Sequence, residues 1–130
     1  NTGVTLKTAL DTATKLAESG INSGVLHVPT VKPLDNEAVL DYISGVPVIV
    51  SLEEHTIIGG LGSAVAELIS EANFGAPKRF KRIGLPDAFP DQYGSQDSLM
   101  DRYSLNVDHV TAVIKELSGA ESYSKPPIYR

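Results

Sequence analysis

The chain reads as an α/β domain of three layers, α/β/α, built on a mostly parallel sheet of four to five strands. Three observations predict this. Val48-Ile49-Val50 is a continuous rather than an alternating apolar run, as befits a parallel strand covered on both faces. Short apolar runs suited to strands alternate along the chain with segments of helical period. Short turns join them, which implies right-handed connections with helices on both faces of one sheet.

Each element follows from its residues. In Leu6 to Ser19, the residues Leu6, Ala9, Leu10, Ala13, Leu16 and Ala17 share one helical face, with Thr2 or Thr5 available as a cap. Gly20 follows where a left-handed terminator is wanted. A chain that opens on a turn and a helix is unusual for an α/β unit, because a strand should come first. The expectation is a first strand truncated at the boundary. Gly24 to Val28 reads as a strand ended by Pro29, and Pro33 stiffens the loop that follows. Asp35 is placed to cap a helix over Asn36 to Ser44, with Glu37 in its first turn and Gly45 closing it.

Val46 to Leu52 is the second clear strand. After the glycines, Leu61, Ala64, Val65, Leu68, Ile69 and Ala72 form one broad apolar stripe of a helix. Lys78 to Leu85 predicts another strand, and Gly84 to Gln92 a loop. Ser95 starts a short helix to Tyr103 that buries Leu99 and Met100. A last helix over Asn106 to Leu117 turns Val107, Val110, Val113, Ile114 and Leu117 inward, with Gly119 after it. With no internal repeat and no linker, residues 1–119 are expected to form one domain and residues 120–130 an extended or disordered tail.

Composition narrows the function. A chain of 130 residues with 42% hydrophobic content can bury a core of ordinary size. The net charge of −5 disfavours nucleic acid and anionic membrane as partners. Absence of cysteine removes disulfides and thiolate metal sites and permits a cytoplasmic setting. No apolar run approaches the ~18 residues of a spanning helix.

The chemistry-bearing residues gather between Val48 and Ile69. Glu53, Glu54 and His55 are the catalytic candidates. They stand at the carboxyl end of a parallel strand, where open α/β sheets bind ligands, and carboxylate beside imidazole suits acid–base work. The alternative is that they bond loop backbone or face a partner chain. No nucleophile completes a set, and Ser63 is not in a nucleophile elbow. Gly59, Gly60, Gly62 and Ser63 are the anion-site candidates, since a helix N-terminus offers free amides. The dinucleotide fingerprint is incomplete: with Gly60 and Gly62 as the first two glycines, Val65 stands where the third belongs. The bland alternative is a close-packed turn. His27, His55 and His109 lack metal-like spacing, so no metal site is expected. Lys78, Arg79, Lys81 and Arg82 read as a solvated strand face, with an anionic partner surface as the alternative.

A resemblance covers nearly the whole chain. Val31-Lys32-Pro33-Leu34-Asp35, the Glu53-Glu54-His55 triplet and the run Ile58 to Glu67 occur in an order and spacing that resemble the C-terminal domain of transketolase-family enzymes. Ile83 to Asp87 and Tyr103-Ser104-Leu105 continue the likeness, which is nearest to the C-terminal part of split bacterial and archaeal transketolases. 1-Deoxyxylulose-5-phosphate synthases and the beta subunits of 2-oxo acid dehydrogenases share much of the pattern. The resemblance implies a parent enzyme that moves two-carbon ketol units between sugar phosphates, using thiamine diphosphate and Mg. It implies that both cofactor-binding domains lie outside these residues, and that this fragment alone binds no cofactor and is inactive. It further implies packing on the pyrimidine-binding domain or subunit, a homodimeric parent and a cytoplasmic location. An independent anion- or phosphate-sensing module is the other reading.

Overall fold

The structure, a computed structural model, describes residues 1–88 and 94–119. After a 3-10 turn at Gly3–Thr5, the order is α1 (Leu6–Glu18), α2 (Asn36–Ile43), β1 (Val48–Thr56), α3 (Leu61–Glu71), β2 (Arg79–Leu85), α4 (Gln96–Arg102) and α5 (Val107–Ser118). The expected tail and part of the Gly84 to Gln92 loop lie outside the described residues.

β1 and β2 run parallel, with Val48 opposite Arg79 and Leu52 opposite Ile83. The pleat sends alternate residues to opposite faces. Val50, Leu52, Ile83 and Leu85 meet Val110, Val113 and Ile114 of α5 in one apolar cluster. Ile49 and Phe80 meet Val39 and Ile43 of α2 and Leu61 and Val65 of α3 in the other. Helices thus cover both faces, and the three layers are present. α1 lies beside α5, and α2 beside α3.

Local chemistry starts and stops the helices as the residues dictate. Asp35, Ser95 and Asn106 each accept a backbone N–H three residues on, at 3.0, 3.3 and 3.0 Å. Gly119 ends α5 in the left-handed region at φ +74°, a backbone conformation natural to glycine. The end of α2 is closed differently. Lys78 reaches across to donate from Nζ to the carbonyl oxygens of Ile43, Ser44 and Val46 at 3.0, 2.5 and 2.8 Å, while lying 4.6 Å from the Phe74 ring centroid. A cation there opposes the negative end of the helix dipole. Arg79 similarly donates to the Leu117 carbonyl in the last turn of α5. The basic cluster is therefore partly spent inside the molecule, and Lys78 is not simply solvated.

Two expectations need correction. The sheet has two strands among the described residues, not four to five. Gly24 to Val28 is extended but forms no ladder with β1, because only Asn1 and Thr2 stand between the two: Val28 donates to Asn1 at 2.8 Å and Thr2 donates to Leu52 at 3.2 Å. Also, β1 does not stop at Leu52. It continues to Thr56 through an irregularity in the ladder between Leu52 and Thr56. Glu53, Glu54 and His55 are consecutive residues of that strand.

Candidate functional site

The centre of the region is Glu53. It follows Leu52 on β1, and the pleat turns it toward α3, where it is 0% exposed. A carboxylate in so dry a place needs strong partners. It has two: Oε2 accepts the backbone N–H of Leu61 at 2.7 Å, and Oε1 accepts that of Gly62 at 2.8 Å. These are first-turn amides of α3, which no intrahelical carbonyl can reach. The helix has no side-chain cap from Gly60. Glu53 caps it from the strand instead, at the positive end of the dipole.

The glycines are explained by that carboxylate. A Cβ on Gly60 would stand 2.0 Å from Glu53 Oε2 and 3.1 Å from the Thr56 carbonyl oxygen. One on Gly62 would stand 2.6 Å from Ser51 Oγ, 2.8 Å from Arg82 Cγ and 2.9 Å from Glu53 Oε1. Gly84 on β2 closes the other side, with a Cβ there falling 3.0 Å from Glu53 Cγ. Three glycines make room for one side chain. Gly59 has a separate reason, φ +76° at the turn.

A second network holds the loop between β1 and α3. Ser63 Oγ donates to the Ile57 carbonyl at 3.1 Å and accepts from the Gly59 N–H at 2.9 Å. Arg82 Nη1 donates to the same Ile57 carbonyl at 2.7 Å and to Ser63 Oγ at 3.1 Å. The turn is thus held by partners within the fold.

The three catalytic candidates part company. Glu53 is buried and engaged, Glu54 accepts from Gln96 Nε2 at 2.7 Å, and His55 is exposed. Among the anion-site candidates, the Gly62 amide, like that of neighbouring Leu61, faces Glu53, and the Gly59 amide faces Ser63. No group of three His, Cys, Asp or Glu among the described residues is arranged to hold a metal. His27 Nδ1 lies 3.0 Å from Asn1 Oδ1. His109, half-buried on α5, has its pKa pushed down by desolvation and secondarily by the Lys81 charge.

Sequence reading missed Arg82 and Gly84 as parts of this site. Their signal was available in the alternation of β2, where Phe80, Arg82 and Gly84 share a face, and in a glycine interrupting a strand, which marks a close approach.

Residues 1–110 match the family description "Transketolase, C-terminal domain". The chain is 37% identical over 116 residues to an apulose-4-phosphate transketolase subunit of Actinobacillus succinogenes, covering 89% of this chain and 37% of that protein. It is 37% identical over 116 residues to 1-deoxy-D-xylulose-5-phosphate synthase 2 of Geobacter sulfurreducens, covering 89% of this chain and 18% of that one. A solved structure, described as a split gene transketolase in an inactive beta4 tetramer, superposes with a TM-score of 0.79 at 30% identity. That match covers 93% of this chain and 38% of the other. The chain therefore spans well under half the length of these relatives. The chain belongs to the transketolase C-terminal domain family.

Proposed function

We propose that this chain is the framework domain of a transketolase-like enzyme whose ketol-transfer chemistry is done by the rest of the parent. The observation that carries the reading is the buried Glu53 carboxylate on the Leu61 and Gly62 amides. A helix start filled from within by a fixed negative charge is a poor place for a pyrophosphate, which would meet that charge at close range in a low dielectric. The donor set does not suit thiamine diphosphate and its Mg. They belong to the parent's other domains.

In this reading the Glu53–α3 junction stiffens the carboxyl end of β1 so that the domain can seat against the pyrimidine-binding part of the same enzyme. Ile58, 59% exposed between β1 and α3, is an apolar side chain for such a contact to cover. A dimeric parent in the cytoplasm fits the same picture. The similarity to a deoxyxylulose phosphate synthase, equal in identity to that with the transketolase subunit, supports a second reading of the parent's reaction on the same domain.

Isothermal titration of the 130-residue chain with thiamine diphosphate and Mg tests the proposal. No saturable heat is expected. Micromolar binding with a stoichiometry near one would overturn it.

A further inference from the structure

The densest positive charge in this acidic chain lies on and just before β2. Lys78, Arg79, Lys81 and Arg82 fall within five positions, and no acidic residue occurs between Glu71 and Asp87. The fold leaves that charge unneutralised. Lys78 donates to the carbonyls at the end of α2, Arg79 to that of Leu117 and Arg82 to that of Ile57. Those acceptors are neutral, so each cation keeps its full charge. Lys81 is exposed. Among the described residues the ion pairs are Lys7 with Asp11 and Lys15 with Asp108, and none of the four cations meets a carboxylate. The Lys81 charge reaches α5, where after desolvation it is the second cause of the lowered His109 pKa.

The same strand has an open side. Among the described residues β1 is its one neighbour in the sheet. Arg79 donates to the Pro47 carbonyl at 2.8 Å, and Leu85 accepts from Ile57 at 2.9 Å. In a parallel ladder these bonds fix the parity: Arg79, Lys81, Ile83 and Leu85 turn their backbone groups toward β1. Phe80, Arg82 and Gly84 turn theirs away from it, and among the described residues those N–H and C=O groups have no backbone partner. Cations flank this edge on both faces. Arg79 and Lys81 alternate with Phe80 and share the α5 face with Ile83, while Arg82 lies against Gly62 on the α3 face. Arg79 and Lys81 stand about 7 Å apart, two residues along one strand.

We infer that the outer edge of β2 is a docking site for an extended acidic segment of a partner protein, which adds to the sheet as one more strand. An open edge presents donors and acceptors by turns, and a peptide backbone matches both. A phosphate backbone would satisfy the N–H groups but would set its own charge against the carbonyls of Phe80 and Arg82. A second copy of β2 is selected against, because like charges opposed across a ladder are destabilising. The same charges attract a strand of opposite sign. With Arg79 and Lys81 on one face, the segment that fits carries carboxylates at alternate positions. The cations set the sign of the partner, and the main-chain edge sets its extended form.

Titration of the ¹⁵N-labelled 130-residue chain with the end-capped peptide Thr-Glu-Val-Glu-Val-Glu-Thr tests this. The Phe80, Arg82 and Gly84 amides shift saturably, and binding weakens as salt rises. The same peptide N-methylated at every residue keeps its charge but has no N–H to donate, and it binds at least about tenfold more weakly. Lys81→Glu, at an exposed residue, weakens binding of the unmethylated peptide by about tenfold. No saturable shift at the three amides would overturn the inference. So would equal binding of the two peptides, a reading that needs no variant of the chain. Tighter binding of a single-stranded oligonucleotide than of the acidic peptide would assign the edge to nucleic acid and also overturn it.

Discussion

Glu53 Oε2 accepts the backbone N–H of Leu61 at 2.7 Å, joining the middle of β1 to the first residue of α3. The partners are eight residues apart, and the bond is buried. Together with the Gly62 bond it turns a strand, a turn and a helix into one rigid unit. The expected effects of disturbing that unit are specific.

Glu53→Gln keeps the shape and replaces one acceptor oxygen with a donor facing a backbone N–H. One amide of Leu61 or Gly62 then loses its partner in a dry site. Stability measured by chemical denaturation is expected to fall by about 2–4 kcal/mol. Glu54→Gln, at a half-buried neighbour, is expected to change it by less than about 1 kcal/mol.

Gly60→Ala pushes a methyl against a carboxylate that two hydrogen bonds hold in place. The expected cost is about 2 kcal/mol or more. In a Glu53→Ala background the nearer obstacle is gone and only the Thr56 carbonyl oxygen, at 3.1 Å, still crowds the methyl, so the same substitution costs less, with a coupling of about 1–2 kcal/mol in a double-mutant cycle. Gly45→Ala is the control. It meets nothing within 4 Å and has no positive φ, and it is expected to stay within about 0.5 kcal/mol of the parent.

Lys78→Met retains the apolar stem and removes the cation from three carbonyls at the end of α2. About 1 kcal/mol of stability is expected to go, with loss of amide protection concentrated in the last turn of α2. Uniform loss across the chain would argue against the capping role.

His109 predicts a pH effect with a definite sign. Its pKa in the folded chain lies below the ordinary value of 6.5, because burial and the Lys81 charge oppose protonation. Well above pH 6.5 the side chain is neutral whether folded or unfolded, and its contribution is intact. As pH falls through the ordinary value, the unfolded chain takes the proton first, and stability declines until the folded pKa is passed. In thermal unfolding between pH 7 and 5, His109→Gln is expected to flatten this decline.

Much of this is legible in the residues. The periods of α1, α3 and α5 are plain because each buries one face. Asp35 and Ser95 are readable as caps because a cap acts within three residues of itself. The capping of α3 is not, since its cap comes from a strand and reaches across a turn. The glycine run therefore looks, in sequence, like an invitation to an outside anion. The strand count differs from expectation for a related reason. Gly24 to Val28 has the composition of a strand, but a ladder needs a neighbour, and only Asn1 and Thr2 stand beside it. Lys78 and Arg82 read as surface charge, yet they bond carbonyls distant in sequence.

The start of α3 is already filled from within by the Glu53 carboxylate. A phosphate titration of the ¹⁵N-labelled chain, followed at the Leu61 and Gly62 amides, tests it most directly. Neither signal is expected to move saturably in the wild-type chain. Saturable shifts at both, at phosphate concentrations that leave the rest of the spectrum unchanged, would contradict the claim and return this turn to service as an anion site.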